Sequence, residues 1–368
     1  MTASGSRCTL LAFILLLLLA ATACDPSVLI EVPADNFPDD AVPPRVDAPH
    51  EEWYEIYFTN PTCPPEEERT GGVDEVIAAD LLMATERVDV AAFDLDAEPI
   101  VEALVALKQN GVDVRVVTDE DNEALSSIRR LRRHGISVIA DERSALMHNK
   151  FVVIDDRIVW TGSLNFTTNG AYCNNNNVVR IDEPLLAANY RAEMDEMVEQ
   201  RAFGPTSPVA TPNERLQIGD TLLENYFAPE IEVAPRLVEL VANAEEEILF
   251  MAFSFTHDAL GQAMIDAAAT GIPVRGVFET VGSETEFSVY PSMASSVLPT
   301  ISVRQDGNAR LMHHKVIVLD RETVVLGSFN FTASANDRND ENVLIVHDPT
   351  FTSYFVEEFD LVWDEAQR

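Results

Sequence analysis

The tract MHNKFVVIDDRIVWTGSLNFT, starting at Met147, returns later in the chain as MHHKVIVLDRETVVLGSFNFT, starting at Met312. Both copies carry His-x-Lys, an Asp five positions after the Lys, and Gly-Ser-x-Asn-Phe-Thr, with no change of spacing. The polar residues persist while the apolar filler varies, so the constraint is chemical and not only one of packing. A chain that repeats such a unit folds as two like halves, and two half-sites of one kind are expected to meet at one centre.

The repeat runs well beyond the motif. Tyr57-Phe58 corresponds to Tyr226-Phe227, and the apolar run VDVAAFDL around Phe93 matches ILFMAFSF around Phe253. A helical stripe follows each run, on Ile100, Leu104 and Leu107 in one half and Leu260, Met264 and Ala268 in the other. Gly111 and Gly271 end those helices, as a left-handed C-cap requires. The next strands, VDVRVVTD and IPVRGVFE, align on Arg115 and Arg275. Strands alternating with helices predict an α/β protein of two tandem domains, each a mostly parallel mixed sheet flanked by helices, packed with pseudo-twofold symmetry. The expected divisions are a signal peptide over 1–23, a tether over 25–50, a first domain over 51–203 and a second over 204–368. The stretch from Gly204 to Pro212 marks the boundary between the domains.

The 368 residues are 46% hydrophobic, enough for two cores. The 25 basic and 62 acidic side chains give a net charge of −37, a field that repels polyanions and disfavours nonspecific nucleic-acid binding. Arg7 is the only charge among the first 23 residues, and Leu10 to Ala23 is nearly all apolar, the size of a signal-peptide core. The segment ends Ala21-Thr22-Ala23-Cys24, which resembles a bacterial lipobox and implies lipid attachment at Cys24. Acylation, simple secretion and a retained anchor are the three readings; all place the folded part outside the cytoplasm, in the cell envelope or beyond it. Pro26, Pro33, Pro38, Pro43, Pro44 and Pro49 among several Asp make 25–50 an extended spacer. Cys63 and Cys173 each follow a predicted core strand. In an oxidising compartment they form either one disulfide or two unlinked thiols.

His148 and Lys150 lead into the β-branched run FVVID, and period-two spacing points both to one face. Asp155 and its counterpart Asp320 fall on the other parity at the strand end, so a structural role is expected for both. The next strand ends at Gly162-Ser163, which brings Asn165 beside the His-Lys pair; Ser328 and Asn330 do the same for His313 and Lys315. Two imidazoles, two ammonium groups and two carboxamides around one centre suit a phosphodiester. Lysine and asparagine neutralise the phosphoryl oxygens, one histidine attacks phosphorus and the other protonates the leaving alkoxide. No metal and no cofactor is expected, because the lysines fill the electrostatic role that magnesium takes elsewhere.

The repeated His-x-Lys, Asp and Gly-Ser-x-Asn pattern resembles the phospholipase D superfamily over nearly all of the chain after residue 50, and the second half is similar to its small bacterial nucleases. The resemblance implies a phosphohistidine intermediate at an active site shared by two domains of a monomer. It also implies that the position eleven residues after each Asn, Asn176 or Glu341, supports a histidine. Pairing each with the histidine of its own half puts an amide behind His148 and a carboxylate behind His313. On that basis His148 is the nucleophile and His313 the general acid.

The expected function is hydrolysis of a phospholipid headgroup diester, at a membrane reached through the N-terminal anchor. The alternatives are an extracytoplasmic nuclease or general phosphodiesterase and, from another class, a silent envelope-binding protein; a cardiolipin synthase-like transferase ranks lower. His50, His134 and His347 read as structural and His314 as a bystander, while His257 reads either as a helix-flanking residue or as a pocket lining. Arg129, Arg130, Arg132 and Arg133 read as a solvated helix end or, alternatively, as an anion contact.

Overall fold

The computed structural model describes residues 53–366, which belong to one compact unit. The predicted signal peptide, Cys24, the tether and His50 lie outside the described residues.

The first half contributes β1 (Tyr54–Phe58), β2 (Arg87–Ala92), β3 (Asp113–Thr118), β4 (Ser137–Ala140), β5 (Lys150–Ile154), β6 (Ile158–Gly162) and β7 (Asn177–Asp182). They form one sheet in the order β1-β7-β6-β5-β2-β3-β4. The second half contributes β8 (Arg215–Ile218), β9 (Thr221–Ala228), β10 (Ile248–Ala252), β11 (Val274–Phe278), β12 (Ile301–Gln305), β13 (Lys315–Leu319), β14 (Thr323–Gly327) and β15 (Glu341–His347). Their order is β12-β11-β10-β13-β14-β15-β9-β8. Both sheets are mixed. Neighbours are parallel where helical crossovers connect them, in β2-β3-β4 and β10-β11-β12, and antiparallel where hairpins and their partners continue the sheet.

Every residue of β5 and β13 is buried, as strands covered on both faces must be. Phe151 and Val153 of β5, with Val316 and Val318 of β13, face a core shared by the halves; Val152 and Ile154, with Ile317 and Leu319, face the two outer cores. Helices Pro184–Asp195 and Pro349–Glu365 fill the shared layer, where Tyr190 sits 5.0 Å from Phe151 and 5.1 Å from Phe227. Each such buried side chain contributes about 1.5–3 kcal/mol of transfer free energy. Most of the stability that holds the halves in register therefore comes from the shared layer.

The two Asp residues after the motif lysines sit at the far ends of β5 and β13, in left-handed backbone (φ 51° at Asp155, 55° at Asp320) that a tight hairpin demands. The Asp155 carboxylate accepts the amides of Thr85, Glu86 and Arg87, and that of Asp320 accepts those of Glu245, Glu246 and Glu247. Each clamps the loop entering its central strand, β2 or β10. Cys63 and Cys173 are bonded to each other, tying the end of β1 to the segment before β7. Among the described residues no helix is long and apolar enough to cross a membrane.

Candidate active site

Two isolated parallel bridges position the histidines: Met147 pairs with Asp340, and Asn175 with Met312. The His148 amide donates to the Asp340 carbonyl and the His313 amide to the Asn175 carbonyl, both at 2.9 Å. Each half thus provides the bed on which the other half's histidine lies.

That exchange corrects the expected pairing within each half. His148 Nδ1 lies 2.8 Å from Glu341 Oε2, and His313 Nδ1 lies 2.9 Å from Asn176 Oδ1. The cause is the bridge itself. With residue 340 beside residue 148, the next side chain along, Glu341, falls behind the His148 ring; Asn175 beside Met312 puts Asn176 behind His313. The motif serines lock these partners. Ser328 Oγ donates to Glu341 Oε2 at 2.7 Å and accepts the Asn342 amide at 3.0 Å, while Ser163 Oγ donates to Asn176 Oδ1 at 3.0 Å and accepts the Asn177 amide at 3.1 Å. Asn176 Nδ2 is committed to the Gly170 carbonyl at 3.0 Å, so its oxygen is the atom that faces His313. Glu341 and the Asn176 oxygen can only accept, so both rings carry hydrogen on Nδ1. Nε2 of each makes no hydrogen bond within the described protein and is left for a ligand.

Lys150 and Lys315 are buried, and each ammonium donates to the carbonyl of its own motif histidine, at 2.8 and 2.9 Å. Phe93, just past β2, stands edge-on to the His148 ring at 5.1 Å and lies 5.0 Å below the Lys150 ammonium; Phe253 repeats this with His313 and Lys315, at 4.6 Å in both cases. The aromatic faces hold the cations without neutralising them. Gly162 and Gly327 are demanded by close approach: a Cβ there would come within 2.4 Å of the Asn177 carbonyl oxygen and 2.3 Å of that of Asn342. Past these glycines, Asn165 and Asn330 keep a buried carboxamide oxygen with no partner, so part of their hydrogen-bonding capacity is unused. Thr167 and Thr332 close the motif as N-caps of short helices.

Burial lowers the pKa of His148, opposed by Glu341 and reinforced by Lys150 and Lys315. His313 is pushed further down, by burial and then by Lys315, Lys150 and His148. Burial and Lys150 also push the Lys315 ammonium well below its usual range. Each histidine therefore feels both lysines. The combined centre is electropositive inside a strongly acidic chain, and an anion bound there relieves the repulsion.

A second layer of contacts escaped the sequence reading. Asn342 Nδ2 donates to Asn149 Oδ1 at 3.0 Å, and Asn149 Nδ2 to Glu193 Oε1 at 3.0 Å. In the mirror position Asn177 Nδ2 meets His314 Nδ1 at 2.8 Å, and His314 Nε2 meets Glu358 at 3.2 Å. His314 does turn away from the centre. It is a fully buried tie between the halves all the same, where a mere bystander was expected. His257 caps helix Asp258–Thr270 through Nδ1. Of the four arginines, Arg130 is ion-paired to Glu98 and Glu102 and Arg132 to Glu123, on the solvated end of helix Ser126–Arg133. Among the described residues one group of three carboxylates is disposed to hold a metal ion, Glu193, Glu196 and Glu230, and it is distinct from the histidine centre.

Mitochondrial cardiolipin hydrolase of Homo sapiens is 38% identical over 128 residues, 34% of this chain and 50% of the relative. The protein of the same name from Chlamydomonas reinhardtii is 34% identical over 116 residues, 31% of this chain and 52% of the relative. The chain thus spans about half the length of these relatives. Phosphatidylserine synthase of Haemophilus influenzae superposes with a TM-score of 0.63 over 88% of this chain and 89% of that one, at 14% identity, which shows a common fold. The family described as "Cardiolipin synthase, PLD-like domain" matches twice, over residues 77–198 and 237–363, once in each half and each time across a complete His-x-Lys to Gly-Ser-x-Asn motif. The chain belongs to this family, within the phospholipase D superfamily.

Proposed function

We propose that the protein is a phosphodiesterase that cleaves the headgroup diester of a phospholipid through a phosphohistidine, with Lys150, Lys315, Asn165 and Asn330 holding the phosphoryl oxygens. The observation that carries this reading is the crossed pairing of His148 with Glu341 and His313 with Asn176. Attack by His148 Nε2 on phosphorus leaves the imidazole ring cationic, and the Glu341 carboxylate at Nδ1 stabilises that charge. The bound phosphodiester anion offsets the repulsion from the lysines, so His313 takes up a second proton, on Nε2, and transfers it to the departing alkoxide, a step favoured by the same lysines that disfavour its charged form. The same group then takes a proton from water as water attacks phosphorus and frees His148. We keep His148 as nucleophile and His313 as general acid in this proposal, on a different physical ground. Its original premise, an amide behind His148, is replaced by a carboxylate.

A lipid substrate is supported by the cardiolipin hydrolase names of the relatives and by the acidic composition, which opposes docking of a nucleic acid. Export, with acylation at Cys24, would bring such a centre to a membrane surface. The test is release of headgroup from phosphatidylglycerol, cardiolipin or phosphatidylcholine vesicles in EDTA, compared with cleavage of single-stranded DNA. Vesicle hydrolysis lost in both His148→Ala and His313→Ala supports the reading. Cleavage of DNA alone replaces it with the nuclease, and no turnover of either leaves a binding protein.

A further inference from the structure

Helix Pro184–Asp195 carries Glu193 in its last turn and runs directly into a wider turn over Glu196–Gln200. Such π-type turns are frequent at functional positions. The turn brings Glu196 near Glu193, and Glu230, just beyond β9 in the second half, joins them. One carboxylate oxygen from each lies within 4.8 Å of the others.

Their surroundings do not neutralise them. Glu196 is 4% exposed, and its Oε2 is sealed from solvent with no hydrogen-bond partner. Both carboxylate oxygens of Glu230 are likewise buried, and the polar groups that act on them are Ser207 and its own backbone amide. Glu193 accepts one, from Asn149 Nδ2. The cation whose charge reaches Glu230 is Arg143, and its guanidinium is already bound to Asp340 Oδ2 at 2.9 Å and to the Arg338 carbonyl. Three buried carboxylates facing one another cost several kcal/mol unless protons or a metal ion compensate them.

We propose that Glu193, Glu196 and Glu230 bind a calcium ion that joins the end of helix Pro184–Asp195 in the first half to the β9 terminus in the second. The ligands are all hard carboxylate oxygens, which excludes the nitrogen and sulfur preference of zinc. Three carboxylate oxygens within 4.8 Å of one another can all lie about 2.3–2.6 Å from a single calcium ion. Magnesium demands near-ideal octahedral geometry at about 2.0–2.1 Å and gives up its water reluctantly, so a buried all-carboxylate cluster favours calcium. Burial pushes the Glu196 carboxyl up to about 7, and burial with the neighbouring Glu196 charge brings Glu230 to about 7 as well. The ion is a tie and not a participant in the chemistry. It would steady Glu193 under Asn149, the residue between His148 and Lys150.

The test uses the full chain at pH 8, stripped with EGTA and titrated with calcium chloride, read by calorimetry and by thermal unfolding. One saturable site and a rise in melting temperature of about 4 °C at a hundredfold excess over the dissociation constant are expected, with a smaller response to magnesium. Glu196→Gln and Glu230→Gln each remove a repelling carboxylate. In EGTA they melt at or above the wild-type temperature, and they lose the calcium response. No saturable binding by the wild-type chain up to about 10 mM calcium would overturn the proposal, the carboxyls then being held by protons. So would a full calcium response in both variants, which would place the ion on surface acids.

Discussion

The carboxylate that backs His148 belongs to Glu341, 193 residues further along the chain, and reaches the ring at 2.8 Å. The amide of Asn176 backs His313 from 137 residues away in the opposite sense. Neither half holds a complete half-site. Each histidine borrows its partner from the other half, so the two imidazoles acquire different electrostatic characters from an otherwise symmetric frame.

Replacing Glu341 with Gln keeps the shape but removes the charge that stabilises a phosphorylated His148. Turnover is expected to fall by about 10⁴-fold, comparable to loss of the carboxylate in other carboxylate–histidine pairs. Asn176→Ala should instead impair protonation of the leaving group, so a diester of p-nitrophenol, which leaves without a proton, restores much of its rate. Equal rescue of both variants by that substrate would refute the division of roles.

Arg143 Nη1 holds Asp340 Oδ2 at 2.9 Å, and Asp340 has no exposed surface. Above about pH 8, where Asp340 is ionised, Arg143→Ala leaves a buried carboxylate without its counter-ion beside the backbone that carries His148. A loss of about 3–5 kcal/mol in unfolding free energy is expected, with a fall in activity at temperatures where the variant is still folded. Denaturant unfolding measures the first and headgroup release the second.

Burial, foremost, raises Asp340 and Glu279 to about 8 and Asp119 to about 7. Between the ordinary carboxyl range and those values the folded state keeps protons that the unfolded state has lost, so stability falls as pH rises through that window. Thermal unfolding in EDTA should give a melting temperature that declines from pH 5 to pH 8, and Asp340→Asn should flatten the slope. A melting temperature that climbs over the same range would contradict the assignment of buried protons.

The Cys63–Cys173 bond closes a separation of 110 residues, and Cys173 stands three positions before Asn176. Opening it with reductant, or with Cys63→Ser, should cost about 2–5 kcal/mol, read as a lower denaturation midpoint. Because the bond anchors the segment that carries Asn176, turnover should fall before the protein unfolds.

Much of the fold was legible because it repeats. The paired strands, the glycines at 111 and 271 and the alternating apolar residues of FVVID and VIVLD carry their meaning locally, and two copies doubled the signal. The structural part of Asp155 and Asp320 was legible too, since parity on a strand is a one-dimensional fact. Asn149, His314 and Asn342 were not legible, because their partners come from the opposite half. The cluster of Glu193, Glu196 and Glu230 was hidden in the same way, as three of many acidic residues until packing brought them together.

The sequence by itself determined the chemical inventory and its duplication: two histidines, two lysines and two asparagines on strands whose spacing fixes which side chains share a face. Only the tertiary structure decided which carboxylate or amide stands behind which histidine. Local periodicity is set by backbone geometry within a strand. The choice of partner is set by how two sheets dock across a shared core, and here the bridges at Met147–Asp340 and Asn175–Met312 cross the halves and exchange the pairs.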